Sequence, residues 1–302
     1  MTVGQSYRRG ISGLRVRKFL TPYILLLPSA ILIFGLIFYP IFSAMSGSLY
    51  RARGLRKEET FVGLRNFIDM VQDPVFRQVM WQTAIFASVT IGVTMIVSMG
   101  IALLLNKQFP GRRITRAILI FPWATSLGLS AAMWRWVFEP TIGMVNEILR
   151  SLALIQEPIG WLGRPDLAFP IVIFVGIWVS VPFTSVSILA GLQSVSQEVI
   201  EAAIVDGATG WNLVRFITLP LIRPVIVIVF LLNFVAAFNQ FPIIWVLTEG
   251  GPVHATEIAA TWLYKVAFTF LDFGPASAIA VVVFLLLLIF SIIYMRVVGR
   301  EA

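Results

Sequence analysis

The amino-acid sequence predicts an all-α, polytopic membrane protein of six transmembrane helices, and three observations lead there. First, the 302 residues are 58% hydrophobic and only 13% charged, with a mean hydropathy of +0.90, whereas soluble chains average roughly 25% charged. Second, six stretches reach the roughly 20 apolar residues a helix needs to cross the hydrocarbon core. Third, these runs are continuously apolar rather than alternating. Lipid leaves backbone groups unsatisfied unless they pair within the segment, so the runs are helices and not barrel strands.

The chain opens with a basic tail, residues 1–19, carrying Arg8, Arg9, Arg15, Arg17 and Lys18. The apolar run behind it is too long for a signal-peptide core and is followed by no small-x-small cleavage site, so it reads as a retained first span. The expected spans are Leu20–Met45, Gln82–Leu105, Ala117–Phe138, Ala168–Gly191, Leu221–Leu247 and Pro275–Met295, and residues 192–220 form a long loop between the fourth and fifth. Lys and Arg are only slightly more numerous on one side, because Arg51, Arg53, Arg56, Lys57, Arg65 and Arg77 crowd the first outside loop. Glu58, Glu59, Asp69 and Asp73 offset that loop. The short basic segments flanking the first three spans carry more topogenic weight, and they place both termini in the cytoplasm.

Composition excludes several functions. Without cysteine and with His254 as the single histidine, there is no disulfide framework, thiolate nucleophile or His/Cys metal cluster, and no metal site is expected. The formal net charge of +8 is scattered at span ends rather than gathered with interleaved aromatics, which speaks against nucleic acid. His254 lies in an outside loop and reads as an ordinary solvated side chain.

Between their ends the spans carry no Asp, Glu, Lys, Arg or His; Arg135 and Arg223 sit near boundaries. Ion-coupled transporters place ionisable groups within the membrane, so an ion-coupled secondary transporter is the weaker alternative. No paired carboxylates or activated nucleophile support the other alternative, a membrane-bound enzyme, and no catalytic residue is expected. No G-x-x-x-x-G-K-[ST] loop is present to cradle ATP. Active transport would draw its energy from another subunit.

Three spans carry proline beside polar or aromatic residues: Pro122 with Trp123, Thr125 and Ser126; Trp178 and Ser180 before Pro182 and Phe183; Asn233, Asn239 and Gln240 before Pro242. A proline frees a carbonyl and bends a helix, which is tolerated beside a neighbour or a water-filled cavity. An uncharged cavity of aromatic faces and amide or hydroxyl groups suits a neutral polyhydroxy ligand. Trp123, Ser180, Asn239 and Gln240 are the candidate substrate-path residues. Interface-belt packing for the aromatics and helix-to-helix bonding for the amides are the competing explanations.

In the long loop, Ser194 or Ser196 can cap a helix that runs to Val205, and Gly207 can take the left-handed conformation that ends it. A second short helix is expected over Trp211–Phe216, stopping at Leu219-Pro220. Together they make an L-shaped elbow.

The residue order of this loop resembles the signature of ABC-importer permeases. Glu201-Ala202-Ala203, then Gly207, then Ile217-x-Leu219-Pro220 match it, and Asp206-Gly207-Ala208 is the form usual in sugar importers. Gly143-Met144-Val145-Asn146, Trp161-Leu162-Gly163, Leu247-Thr248-Glu249-Gly250-Gly251-Pro252 and Phe273-Gly274-Pro275 extend the likeness to the maltose- and glycerol-phosphate-type first permease. The small first outside loop leaves no room for the extra domain of the enterobacterial maltose permease, and the overall style is similar to actinobacterial trehalose-type importers. The resemblance implies the type I importer permease fold, a second homologous permease, two copies of a cytoplasmic ATPase that binds ATP and Mg, and an extracytoplasmic sugar-binding protein. It further implies that Glu201, Ala202, Ala203, Asp206, Gly207, Ile217, Leu219 and Pro220 couple to the ATPase, that the chain itself holds no cofactor, and that it resides in the plasma membrane.

Overall fold

The computed structural model describes residues 22–52 and 60–298. The basic tail, the start of the first span, most of the charged tip of the first outside loop and the last four residues lie outside them.

Helix α1 (Pro22–Gly47) is 26 residues long and has no buried residue. It touches the rest of the chain near its C-terminal end, where Gly47 lies against Ser277. A two-stranded antiparallel ribbon follows, β1 (Tyr50–Arg51) and β2 (Thr60–Phe61), with Tyr50 opposite Phe61. Helix α2 (Arg65–Gln72) buries Asn66, whose Nδ2 donates to the carbonyls of Ser48 (2.8 Å) and Tyr50 (2.9 Å) and so fastens the ribbon.

Helix α3 (Pro74–Asn106) begins about two turns before the expected apolar stretch. Asp73 caps it by accepting the Val75 N–H at 2.9 Å, and Pro74 fits the first turn, where no N–H is needed. The third expected span is corrected most. It consists of α4 (Arg112–Ala124) and α5 (Leu127–Val137), bent by 98° at Thr125-Ser126. At 1.5 Å per residue these halves are about 20 and 16 Å long, so neither crosses a roughly 30 Å core alone. The bend is built locally. Pro122 cannot donate to the preceding turn, the Thr125 hydroxyl donates to the Pro122 carbonyl at 2.9 Å, and Ser126 caps α5 by accepting the Leu129 N–H at 3.2 Å.

After α6 (Met144–Ser151), helix α7 (Pro165–Gln193) runs unbroken for 29 residues despite Pro170 and Pro182. Hydroxyls support its proline turn: Ser98 of α3 donates to the Val181 carbonyl (3.1 Å), Ser180 to Gly176 (2.8 Å) and Thr184 to Ser180 (2.9 Å). The expected break in the fourth span is absent. The loop helices α8 (Gln197–Val205) and α9 (Gly210–Leu213) lead to α10 (Arg223–Phe238) and α11 (Phe241–Thr248), which together form the fifth span, interrupted at Asn239-Gln240. Helix α12 (Ala259–Tyr264) and a π turn at Lys265–Thr269 precede the sixth span, α13 (Phe273–Val297).

Helices α3 and α7 pack along their length and form the axis of the bundle. One end of this axis holds Phe86, Val172, Val175, Ile243 and Ile244, and the other Ala102, Leu105, Ile188, Leu189 and Ile222. Described residues of the loops after the first and fifth spans line one cleft, those after the third and fifth another, and those after the second and fourth a third, which contains Gln108, Arg112 and Gln193.

Candidate functional site

The first helix of the elbow between α7 and α10 falls within its expected bounds, Gln197–Val205, and the second does not. Helix α8 starts after Ser196, although the Ser196 side chain makes no capping bond. It ends at Gly207 with φ +89°, where the Gly207 N–H reaches the Ile204 carbonyl (3.0 Å) and the Ala208 N–H the Ala203 carbonyl (2.9 Å). Only a residue at ease with positive φ closes such a helix end without strain. Gln197 Nε2 donates to Glu201 Oε1 at 3.1 Å, one helical turn on.

Beyond Thr209 the chain runs helically from Gly210 through a π turn at Val214–Thr218 to Leu221. The expected stop at Leu219-Pro220 is therefore displaced. The wide turn bonds the Leu219 N–H to the Val214 carbonyl and the Thr218 hydroxyl to the Leu213 carbonyl (3.2 Å), so Pro220 enters the first turn of a fresh segment, where its missing N–H is harmless.

The elbow faces outward. Ala203 is buried and Ile217 and Leu219 partly so, while Glu201, Ala202, Asp206, Gly207 and Pro220 are exposed. Val205 is 86% exposed and Trp211 and Phe216 are each 64% exposed. Thus alanine lets the elbow sit against the bundle, and the exposed motif residues serve no packing within this chain.

The four substrate-path candidates do not share one enclosed space. Ser180 and Gln240 meet between α7 and the interruption of the fifth span, with Gln240 Nε2 donating to Ser180 Oγ at 3.2 Å. Gln240 is buried, and its Oε1 has no partner among the described residues. Trp123 lies on the surface at 57% exposure, its ring 5.9 Å from that of Phe183. Asn239 is also exposed, and its amide donates to the Val235 carbonyl at 3.0 Å. Asn233 joins helices: its amide binds the Thr184 hydroxyl (3.0 Å) and the Val229 carbonyl (2.9 Å).

Sequence reasoning missed the organisation of the opposite end. Glu257 is fully buried there, accepting from the Thr261 hydroxyl (2.6 Å) and paired with Lys265, while His254 Nδ1 lies 3.6 Å away. His254 is therefore no ordinary solvated residue; its ring packs edge-on against Trp262 at 5.4 Å. Glu257, Thr261 and Lys265 stand at i, i+4 and i+8, a helical spacing that could have revealed the cluster. Gly250 has φ +80°, and a Cβ there would land on the Glu257 carboxyl. Thr83 Oγ1 of α3 accepts the Ala259 N–H at 2.9 Å and Gln82 donates to the Ala255 carbonyl at 3.1 Å, pinning the loop to the bundle.

Nearby, Asn146 of α6 accepts from Trp161 Nε1 (2.9 Å) and donates to the carbonyls of Pro140 and Ile159, which joins the two sequence motifs that contain Asn146 and Trp161. Glu139 accepts the N–H groups of Ile142 and Thr141 and the Thr141 hydroxyl. The bond from Ile142, then that from the Thr141 side chain, holds its carboxyl below the usual carboxylate range.

Residues 92–301 match the family model described as the binding-protein-dependent transport system inner membrane component. The chain belongs to this family. As a whole, the permease is 38% identical over 280 residues to a probable ABC transporter permease protein of Brucella suis, covering 93% of this chain and 97% of that one. It is 35% identical over 292 residues to the trehalose/maltose transport system permease protein MalF of Thermococcus litoralis, covering 96% and 97%. Its fold matches that of a bacterial ABC transporter involved in import of the acidic polysaccharide alginate, with a TM-score of 0.83 at 22% identity over 97% of this chain and 99% of that one. The matched region of the permease takes in the elbow, the Ser180–Gln240 contact and the Glu257 cluster.

Proposed function

We propose that this permease is the non-catalytic membrane subunit of an ATP-driven importer that carries a neutral sugar, a disaccharide such as trehalose, into the cytoplasm by alternating access. The observation that carries the reading is the elbow: Glu201, Asp206 and Gly207 stand exposed on a capped helix, with no packing task of their own. That is how a docking surface for a cytoplasmic ATPase would be built. Both termini and the elbow then lie in the cytoplasm, and the Glu257 loop faces the binding protein outside.

A second, homologous permease would complete the sugar path. Trp123, Phe183 and Asn239 are exposed on this chain and available to a cavity formed with it, and Ser180 and Gln240 lie behind, where rotation of α7 against the fifth span would present them. The relative that handles trehalose and maltose supports the sugar class. ATP and Mg would be bound by two copies of the partner ATPase.

The test is uptake into vesicles containing both permeases and the ATPase, with the binding protein supplied outside. Radiolabelled trehalose should accumulate with ATP and persist under a protonophore at clamped ATP. Uptake by this chain alone, or its collapse with the proton gradient, would instead favour secondary transport. Mass spectrometry of sugars retained by the co-purified binding protein would identify the substrate.

A further inference from the structure

The end of the molecule that bears the elbow carries a second feature, which transport of a neutral sugar does not use. Between the end of α3 and the start of α4, a cleft of about 690 Å³ is lined by Gln108, Phe109, Gly111, Arg112, Arg113, Ile114, Arg116 and Gln193. Arg113 is exposed and Arg112 and Arg116 are half-buried. Among the described residues none of the three has a carboxylate within ion-pair distance. Nor does the sequence offer one locally: from Asn106 to Phe138 there is no Asp or Glu, and Lys107 adds a fourth positive charge.

Three arginines lining one cleft call for an anion with several oxygens, since each planar fork pairs best with phosphate or carboxylate. The same helix also says what is attached to that anion. Ile114, Ile118 and Phe121, spaced i, i+4 and i+7, form an apolar face 66%, 69% and 64% exposed that leads away from the cleft along α4. A charged head at the membrane boundary joined to apolar chains running into the bilayer is a phospholipid.

We propose that the Arg112–Arg113–Arg116 cleft binds the phosphate of an anionic phospholipid whose acyl chains lie along Ile114, Ile118 and Phe121. Occupancy would brace the short helix α4, which ends at the 98° bend and is too short to span the bilayer alone. The site does not depend on which sugar is carried.

The test uses the assembled transporter in nanodiscs of phosphatidylcholine with or without phosphatidylglycerol, read by native mass spectrometry of lipids retained on release. The wild type should retain phosphatidylglycerol selectively. Removing the three arginines together as R112Q, R113Q and R116Q should lower retention by about fivefold per charge, whereas the triple lysine replacement keeps most of it. Millimolar inorganic phosphate should not displace the lipid. Unchanged retention in the triple glutamine variant overturns the proposal. So does full displacement by inorganic phosphate, which would make the cleft a free-anion site, or loss of the ATPase with lipid retention intact, which would make it a protein-docking surface. Should the triple variant fail to assemble, Arg113→Gln, at the most exposed of the three, must still reduce retention.

Discussion

The elbow after the fourth span and the loop after the fifth are both connections between spans, and they are built in opposite ways. The elbow is held by backbone caps, buries little beyond Ala203 and Thr218, and leaves Val205, Trp211 and Phe216 exposed. The opposite loop folds around a buried carboxylate, with Gly250 against that carboxylate and the Ala259 N–H bonded to Thr83 of α3. One leaves its motif residues exposed; the other pairs its charges within the chain. Substitutions in the elbow should therefore remove transport without unfolding the permease, whereas substitutions around Glu257 should destabilise it.

The largest effect expected is that of Gly207→Pro, since proline holds φ near −65° where the elbow requires +89° and also deletes the N–H that reaches Ile204. Uptake should fall to background while the spans remain inserted, and Glu201→Lys should do the same by reversing the charge of the proposed docking surface. Normal uptake by both variants, with the ATPase still captured in pull-downs, would end the distinction between the two regions.

Next in size is Glu257→Ala, which strands Lys265 at a side-chain exposure of 20%. Breaking one partner of such a buried pair costs about 3–5 kcal/mol. Thermal unfolding followed through tryptophan fluorescence should show the loss. An unchanged midpoint would mean that this loop, like the elbow, is stabilised elsewhere.

Gln240→Leu probes the region between these extremes, where a buried amide has one bond to Ser180 and one unpaired oxygen. If this amide pairs with a sugar hydroxyl during transport, its loss costs on the order of 1–3 kcal/mol in the sugar-bound state. Sugar-stimulated ATPase should then drop more than basal ATPase. Equal loss of both would assign Gln240 to packing. Labelling of cysteines placed at Trp123, Ser180, Asn239 and Gln240, in a chain that has none of its own, would sharpen the result by showing which positions meet water.

The smallest effect is at Glu139, whose carboxyl is held below its ordinary range chiefly by the Ile142 N–H. A depressed folded-state pKa contributes stability that is present above the unfolded value and is lost as pH falls through the folded one. Amide protection at Thr141 and Ile142, taken relative to the intrinsic exchange rate at each pH, should accordingly fall on acidification below the usual carboxylate range, and should not do so in Glu139→Gln. Equal acid sensitivity in that variant would remove Glu139 as the cause.

Much of this architecture was legible in the residue order because its causes are local. A run such as Pro275–Met295 must be a helix wherever it lies in a bilayer, since no other conformation pairs its own backbone. Gly207 likewise announces the end of the elbow's first helix, because a left-handed turn depends on a few adjacent residues.

Neighbours decided the rest. Pro122, Pro182 and Pro242 look alike in sequence, yet the chain bends by 98° after the first, stays helical through the second and is interrupted before the third. The unbroken course at Pro182 rests partly on the Ser98 hydroxyl, which donates to the Val181 carbonyl from 83 residues away. The burial of Glu257 and of Gln240 was decided in the same way. Hydropathy assigns a side chain its preference for water or lipid, but whether a carboxylate is buried with a lysine, or an amide turns inward while its neighbour Asn239 faces out, depends on which helices close around it.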